Sequence, residues 1–168
     1  MTWLLILFGI AIVISPLMWF RQSPRQKLIT ELRRSANSMG LQVSLHRRPD
    51  ARDDETRLEC VCYRRSWLDD NCRQNWVLHR YSKRGWEPDN IVLNSSGWLW
   101  TIAEADPKWA ALIADLCADL PQGVSAIIAN KAGIGVIWNE RDDSSDLDKV
   151  AENLTKMQQT AKKFADEA

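Results

Sequence analysis

The sequence predicts an α+β domain behind a single N-terminal transmembrane helix, and three observations carry that prediction. Residues 3–20 run for eighteen positions without a charge. Several short runs alternate apolar and polar residues with a period of two, the mark of half-buried strands. Two later stretches repeat apolar residues at helical spacing, the mark of amphipathic helices.

The apolar run comes first. Its only polar residue is Ser15, and Trp3 and Trp19 stand near its ends, where indole rings favour a headgroup layer. Eighteen residues lie near the lower limit for crossing a hydrocarbon core. No basic n-region and no small-x-small cleavage site accompany it, so a removable export signal is the poorer reading. The flank holds Arg21, Arg25, Lys27, Arg33 and Arg34 against Glu31. By the positive-inside rule these cations place everything after Phe20 in the cytoplasm, beside anionic lipid headgroups. The expectation is therefore a single-pass inner-membrane protein with its N-terminus outside.

Ser23-Pro24 reads as N-cap and first position of a helix that Gly40 ends. Its apolar stripe is Leu28, Ile29, Leu32, Ala36 and Met39. Three alternating runs follow. In the first, Leu41, Val43 and Leu45 share one face and Gln42, Ser44 and His46 the other. In the second, Leu58, Cys60 and Cys62 share a face, and in the third Trp76 and Leu78 do. Together with a strand near residues 98–102 they suggest an antiparallel meander within a sheet of about five or six strands.

Asp106-Pro107 starts a helix whose stripe is Trp109, Leu112, Ile113, Leu116, Cys117 and Leu120, and Pro121 stops it. Two strands then flank an Asn-Lys-Ala-Gly turn at residues 130–133. Ser145 and Asp148 resemble a capping box for the last helix. That helix carries a seam of Leu147, Val150, Leu154, Met157, Ala161 and Phe164 at heptad spacing. Packing on its own sheet and pairing with a partner helix both fit the seam. The expected organisation is an anchor over 1–20, a basic juxtamembrane helix over 21–40, an α+β domain over 41–143 and a C-terminal amphipathic helix over 144–168.

The formal net charge of zero hides a division. Residues 21–84 hold fifteen Arg or Lys against eight Asp or Glu, and residues 85–168 hold seven against fourteen. Thirteen of those fifteen cations are arginine, which favours forked pairing with carboxylates. The four cysteines do not form a secreted-type disulfide framework.

Few residues carry chemistry. Cys60, Cys62, Cys72 and His79 are the candidate metal or redox set, since i and i+2 thiols point the same way from a strand. The usual structural zinc spacing is Cys-x₂₋₄-Cys, however, and a second close pair is missing. Cys60 and Cys62 therefore read as core thiols. His46 and His79 have no nucleophile arranged beside them. "KAGIGV" lacks the third glycine and following helix of a phosphate loop. Trp67, Trp86, Trp98 and Trp100 lie in or beside basic loops. Base stacking is one use of such pairs, but packing or an interfacial role fits better, and nucleic acid is not an expected partner.

The opening also carries a family resemblance. Residues 3–43, a single apolar run followed by "RQSPRQKLITELRRSANSMGLQV", resemble the preprotein-translocase accessory subunit YajC. The resemblance implies association with the protein-export machinery and carries over no catalytic residue. That family continues with a glycine-rich stretch, where this chain has "SLHRRPDARDDETRLECVCY". The sequence thus predicts a non-catalytic accessory or scaffold domain that needs no cofactor and binds another protein of a membrane complex. A cysteine-centred metal-binding or enzymatic domain is the alternative.

Overall fold

The computed structural model describes residues 2–4, 6, 23–47, 59–69, 72, 74–80, 97–140 and 144–166. It divides into two compact units, 1–32 and 33–168. The first holds a helical segment at Thr2–Leu4 and most of helix α1, Pro24–Ser38. Ser23 and Gln26 start α1 reciprocally: the Gln26 amide donates to Ser23 Oγ at 3.2 Å, and the Ser23 amide to Gln26 Oε1 at 3.1 Å. This is a capping box, satisfying two orphan donors at once.

The expected transmembrane anchor is corrected. Among the described residues no helix is long and apolar enough to cross a membrane. The longest, Ser144–Asp166, has 23 residues and a charged face. Most of the expected span lies outside the described residues. Its described members Trp3, Leu4 and Ile6 are 79, 71 and 53 % exposed. An apolar run measures composition, whereas crossing requires about 20 residues in one continuous apolar helix. The single-pass topology, the inner-membrane location and the cytoplasmic placement of the domain were all drawn from that span, and they fall with it.

In the second unit, α1 ends as its glycine predicts. Gly40 has φ +78°, the Leu41 amide donates to Ala36 O at 3.0 Å, and the Gly40 amide to Asn37 O at 3.1 Å. These are the two bonds of a Schellman stop. The turn delivers the chain into β1 (Gln42–Arg47), followed by β2 (Glu59–Arg65), β3 (Trp76–Arg80) and β4 (Trp98–Trp100). A 3₁₀ turn, Pro107–Trp109, leads into α2 (Ala110–Asp119), with Asp106 Oδ1 accepting from the Lys108 amide at 3.1 Å. The chain finishes with β5 (Val124–Asn130), β6 (Gly133–Trp138) and α3 (Ser144–Asp166).

The six strands form one antiparallel sheet in the order β1-β2-β6-β5-β3-β4. The expected meander is corrected, because the β5–β6 hairpin inserts between β2 and β3. Asn130 Oδ1 accepts the Ala132 amide at 2.9 Å and closes that hairpin. Gly133 then runs beside β2 at φ +146°, and a Cβ there would lie 2.2 Å from the Arg65 carbonyl oxygen.

Register divides the sheet into two faces. Tyr63, Val136, Ile127, Leu78, Trp138 and Trp76 point to one, where they are buried. Helix α3 packs on β6 and β2 and touches α2. Leu147, Val150, Leu154 and Met157 are each no more than 1 % exposed, so the seam is consumed inside its own unit. On the other face Cys62, Val77, Ala126, Ile128 and Ile137 form a second buried cluster with Cys60 at its margin.

Candidate functional site

The three thiols and one imidazole of the alternative metal set are spread out. Cys60 and Cys62 do share a face, and their apolar neighbours are those of a core. Cys62 is fully buried; burial raises its pKa, partly offset by Arg64. The Cys60 thiol donates to His46 O at 3.0 Å. His79 lies on the same face, but Ile137 of β6 and Ala126 of β5 separate it from Cys62. Three interstrand steps amount to about 14 Å, too far for one ion. Cys72 is buried in the β2–β3 connection, where burial first and Asp69 second raise its pKa. Among the described residues no group of three or more His, Cys, Asp or Glu could hold a metal ion.

The tryptophans of the basic loops are packing residues where the structure describes them. The Trp67 indole N–H donates to Asn130 O at 2.6 Å, and its ring lies 6.4 Å from that of Trp109. Trp100 meets Trp76 edge-on at 5.7 Å. The Arg80 guanidinium sits 4.9 Å over Trp98 and donates to the carbonyls of Gln122 and Pro121. Trp86 lies outside the described residues.

Of the basic set beside the expected anchor, Arg21 also lies outside the described residues, while Arg25, Lys27 and Arg34 are exposed. Arg33 makes the forked pairing that an arginine-rich half favours, with an acid from the other half of the chain. Its Nε and Nη2 donate to Glu140 Oε1 and Oε2, both at 2.7 Å, and the Tyr63 hydroxyl donates to Glu140 Oε1 at 2.6 Å. Glu140 is only 6 % exposed and holds a left-handed backbone at φ +52°. The carboxylate fixes its partners: the hydrogen bond to Glu140 raises the Arg33 pKa, and burial followed by the bond to Glu140 raises that of Tyr63. The Tyr63 ring packs edge-on against Trp138 at 5.3 Å. This centre ties the end of α1 to the β6–α3 junction through β2. With both Glu140 oxygens answered by Arg33 and Tyr63, its chemistry is that of a clamp.

A mixed pocket of about 240 Å³ lies between α2 and α3, lined by Leu112, Leu116 and Met157 with Asp115, Asp119, Asn153 and Lys156. Asn153 donates to Asp119 Oδ2 at 2.6 Å, and Lys156 pairs with Glu152 at 2.9 Å. Most of its charge is thus already answered from within the chain.

The feature left open is the edge of the sheet. β1 pairs with β2 on one side, in unbroken register from Gln42↔Arg64 to Arg47↔Glu59. Among the described residues no strand pairs with its other side. In an antiparallel ladder alternate residues of such a strand turn N–H and C=O outward. Gln42, Ser44, Leu45 and Arg47 are exposed, and Leu45 is 64 % exposed although it shares a face with the buried Tyr63 row. The opposite edge differs. β4 has three residues, its Trp98 is buried beneath Arg80, and Trp100 is held by Trp76. Short, covered edges resist pairing, whereas β1 has no proline, bulge or lysine, and its one exposed charge, Arg47, stands at its end.

Sequence reasoning assigned no role to Glu140, Tyr63 or the β1 edge. One signal was present: Arg33 falls on the apolar stripe between Ile29 and Ala36 at helical spacing, a place where a charge needs a buried partner. Comparison with protein-family models, with curated proteins and with solved structures gives no match. The resemblance of residues 3–43 to YajC is neither supported nor opposed by that outcome.

Proposed function

We propose that this chain is a non-catalytic interaction domain that receives an extended segment of another protein along β1. The observation that supports the reading is the regular six-residue edge, open among the described residues, with Leu45 exposed at its centre. Strand addition uses main-chain hydrogen bonds for affinity and alternate side chains for specificity. The rest of the unit serves as a rigid frame: both faces of the central strands are buried, the Arg33–Glu140–Tyr63 clamp ties the end of α1 to β2, and Arg65 donates to Met39 O in the turn that launches β1.

A photoreactive residue at position 45, compared with one at exposed Gln159 on α3, tests this in the native host. The reading predicts a discrete adduct from position 45 that position 159 does not give. Equal labelling from both positions, or none from position 45, would overturn it.

A further inference from the structure

The polarity of the segment that β1 takes up is written in the residues behind the edge. This step rests on the reading of β1 as a docking strand. Gln42, Ser44 and His46 share one face of β1, and Arg64 of β2 stands directly opposite Gln42 on that face. Arg64 is half-buried, and its Nε is buried without a hydrogen-bond partner. Among the described residues no carboxylate pairs with it; its guanidinium meets the Cys62 thiol. Arg65 also has a buried Nε without a partner, but its Nη2 donates to Met39 O at 2.7 Å; Arg33 is engaged with Glu140, and Arg80 with two carbonyls and a ring.

A half-buried guanidinium without a counter-charge loses solvation and gains little in return. A strand added outside β1 would place its Cα atoms about 10 Å from that of Arg64, two interstrand spacings away. Arginine and glutamate side chains together bridge that distance. On the opposite face the added strand would meet Val43 and Leu45, both apolar. The half of the sequence that contains β1, residues 21–84, carries fifteen cations against eight acids. A second copy of the chain suits the edge poorly, because β1 itself, Gln42–Arg47, holds no carboxylate to offer Arg64.

We infer that the β1 edge recognises an extended acidic segment, with apolar side chains toward Val43 and Leu45 and carboxylates toward Ser44, His46 and Arg64. The partner class is a protein with an alternating apolar–acidic stretch of about six residues, the length of β1.

Three fluorescein-labelled, capped nonapeptides test this against the full chain by anisotropy: alternating Val/Glu, alternating Val/Thr and alternating Val/Lys. The Val/Glu peptide should bind about tenfold tighter than Val/Thr, with Val/Lys weakest, and the difference should shrink in 1 M salt. Arg64→Gln should weaken Val/Glu binding about fivefold and leave Val/Thr unchanged. Leu45→Ser, at an exposed position, should weaken Val/Glu and Val/Thr alike. If Val/Thr or Val/Lys binds as well as Val/Glu, the acidic assignment is overturned and the docking edge stands. If no peptide binds, or if Leu45→Ser changes nothing, the docking edge itself is refuted. Concentration-dependent self-association lost in Leu45→Ser would make a second copy the occupant and also overturn the acidic assignment.

Discussion

Replacing Arg33 with methionine isolates the clamp that holds β1 in place. Methionine keeps much of the aliphatic stem of arginine, so the change chiefly removes the fork of two 2.7 Å bonds to Glu140. It leaves a carboxylate that is 6 % exposed with only the Tyr63 hydroxyl, at 2.6 Å, still facing it. Breaking one side of a fully buried ion pair costs about 3–5 kcal/mol. The Arg33 side chain is 41 % exposed, so water screens the pair from one side and the cost falls below that range, to about 2–3 kcal/mol. With a urea slope of about 2 kcal/mol per molar, the unfolding midpoint should fall by about 1–1.5 M at pH 7. Glu140→Gln alone should cost about 2 kcal/mol, and the double variant less than the sum of the two by about 1–2 kcal/mol, because the stranded charge is then absent. Urea titrations of the four proteins, followed by tryptophan fluorescence, supply the whole cycle. If Arg33→Met shifts the energy by less than about 0.5 kcal/mol, the value of a surface ion pair, the clamp reasoning is refuted.

Three further outcomes follow from the same packing. Tyr63, Cys62, Cys72 and Cys117 all have raised pKa values, with Cys117 pushed up to about 11 by burial. Each holds its proton in the folded state where the unfolded chain releases it. Stability should be full below pH 8 and decline above about pH 9 by up to about 1.4 kcal/mol per pH unit for each group, and Tyr63→Phe should flatten the fall above pH 10. Gly133→Ala should destabilise by about 3 kcal/mol or more, measured as a fall in unfolding midpoint, because its Cβ would meet the Arg65 carbonyl oxygen at 2.2 Å. Thiol titration at pH 8 should leave Cys62 and Cys117 unmodified in the native chain and expose both in 6 M guanidinium; rapid native labelling of either would contradict their burial.

Local chemistry is where the sequence was most readable. Ser23-Pro24, Gly40, Asp106-Pro107 and the Asn130 turn each act through bonds to residues two to five positions away, so a short window contains both partners. The seam of α3 was readable as a stripe, but its destination was not, since spacing cannot tell a sheet from a partner helix. Alternation has the same weakness. β1 and β3 show equally regular patterns, yet β3 is buried on both faces of the sheet and β1 stands at its edge. Strand order decides that difference, and it depends on β6 reaching β2 across about 70 residues. Glu140 lies 107 residues from Arg33 and 77 from Tyr63, so no local signal joins the three. The Cys60–Cys62 pair was assigned to the correct shared face, but the helix-covered face proved to be the one bearing Tyr63. The span expected over residues 3–20 lies mostly outside the described residues, among which no helix is long and apolar enough to cross a membrane.

The central claim is that one side of β1 is open, and residue-resolved amide exchange of the free chain measures this directly. Alternate amides within Gln42–Arg47 should exchange close to solvent rates while their neighbours, bonded to β2, are protected, and β5 and β6 should be protected throughout. Protection of every β1 amide in the free chain would mean that the edge is already filled, and the account of a docking strand would be contradicted.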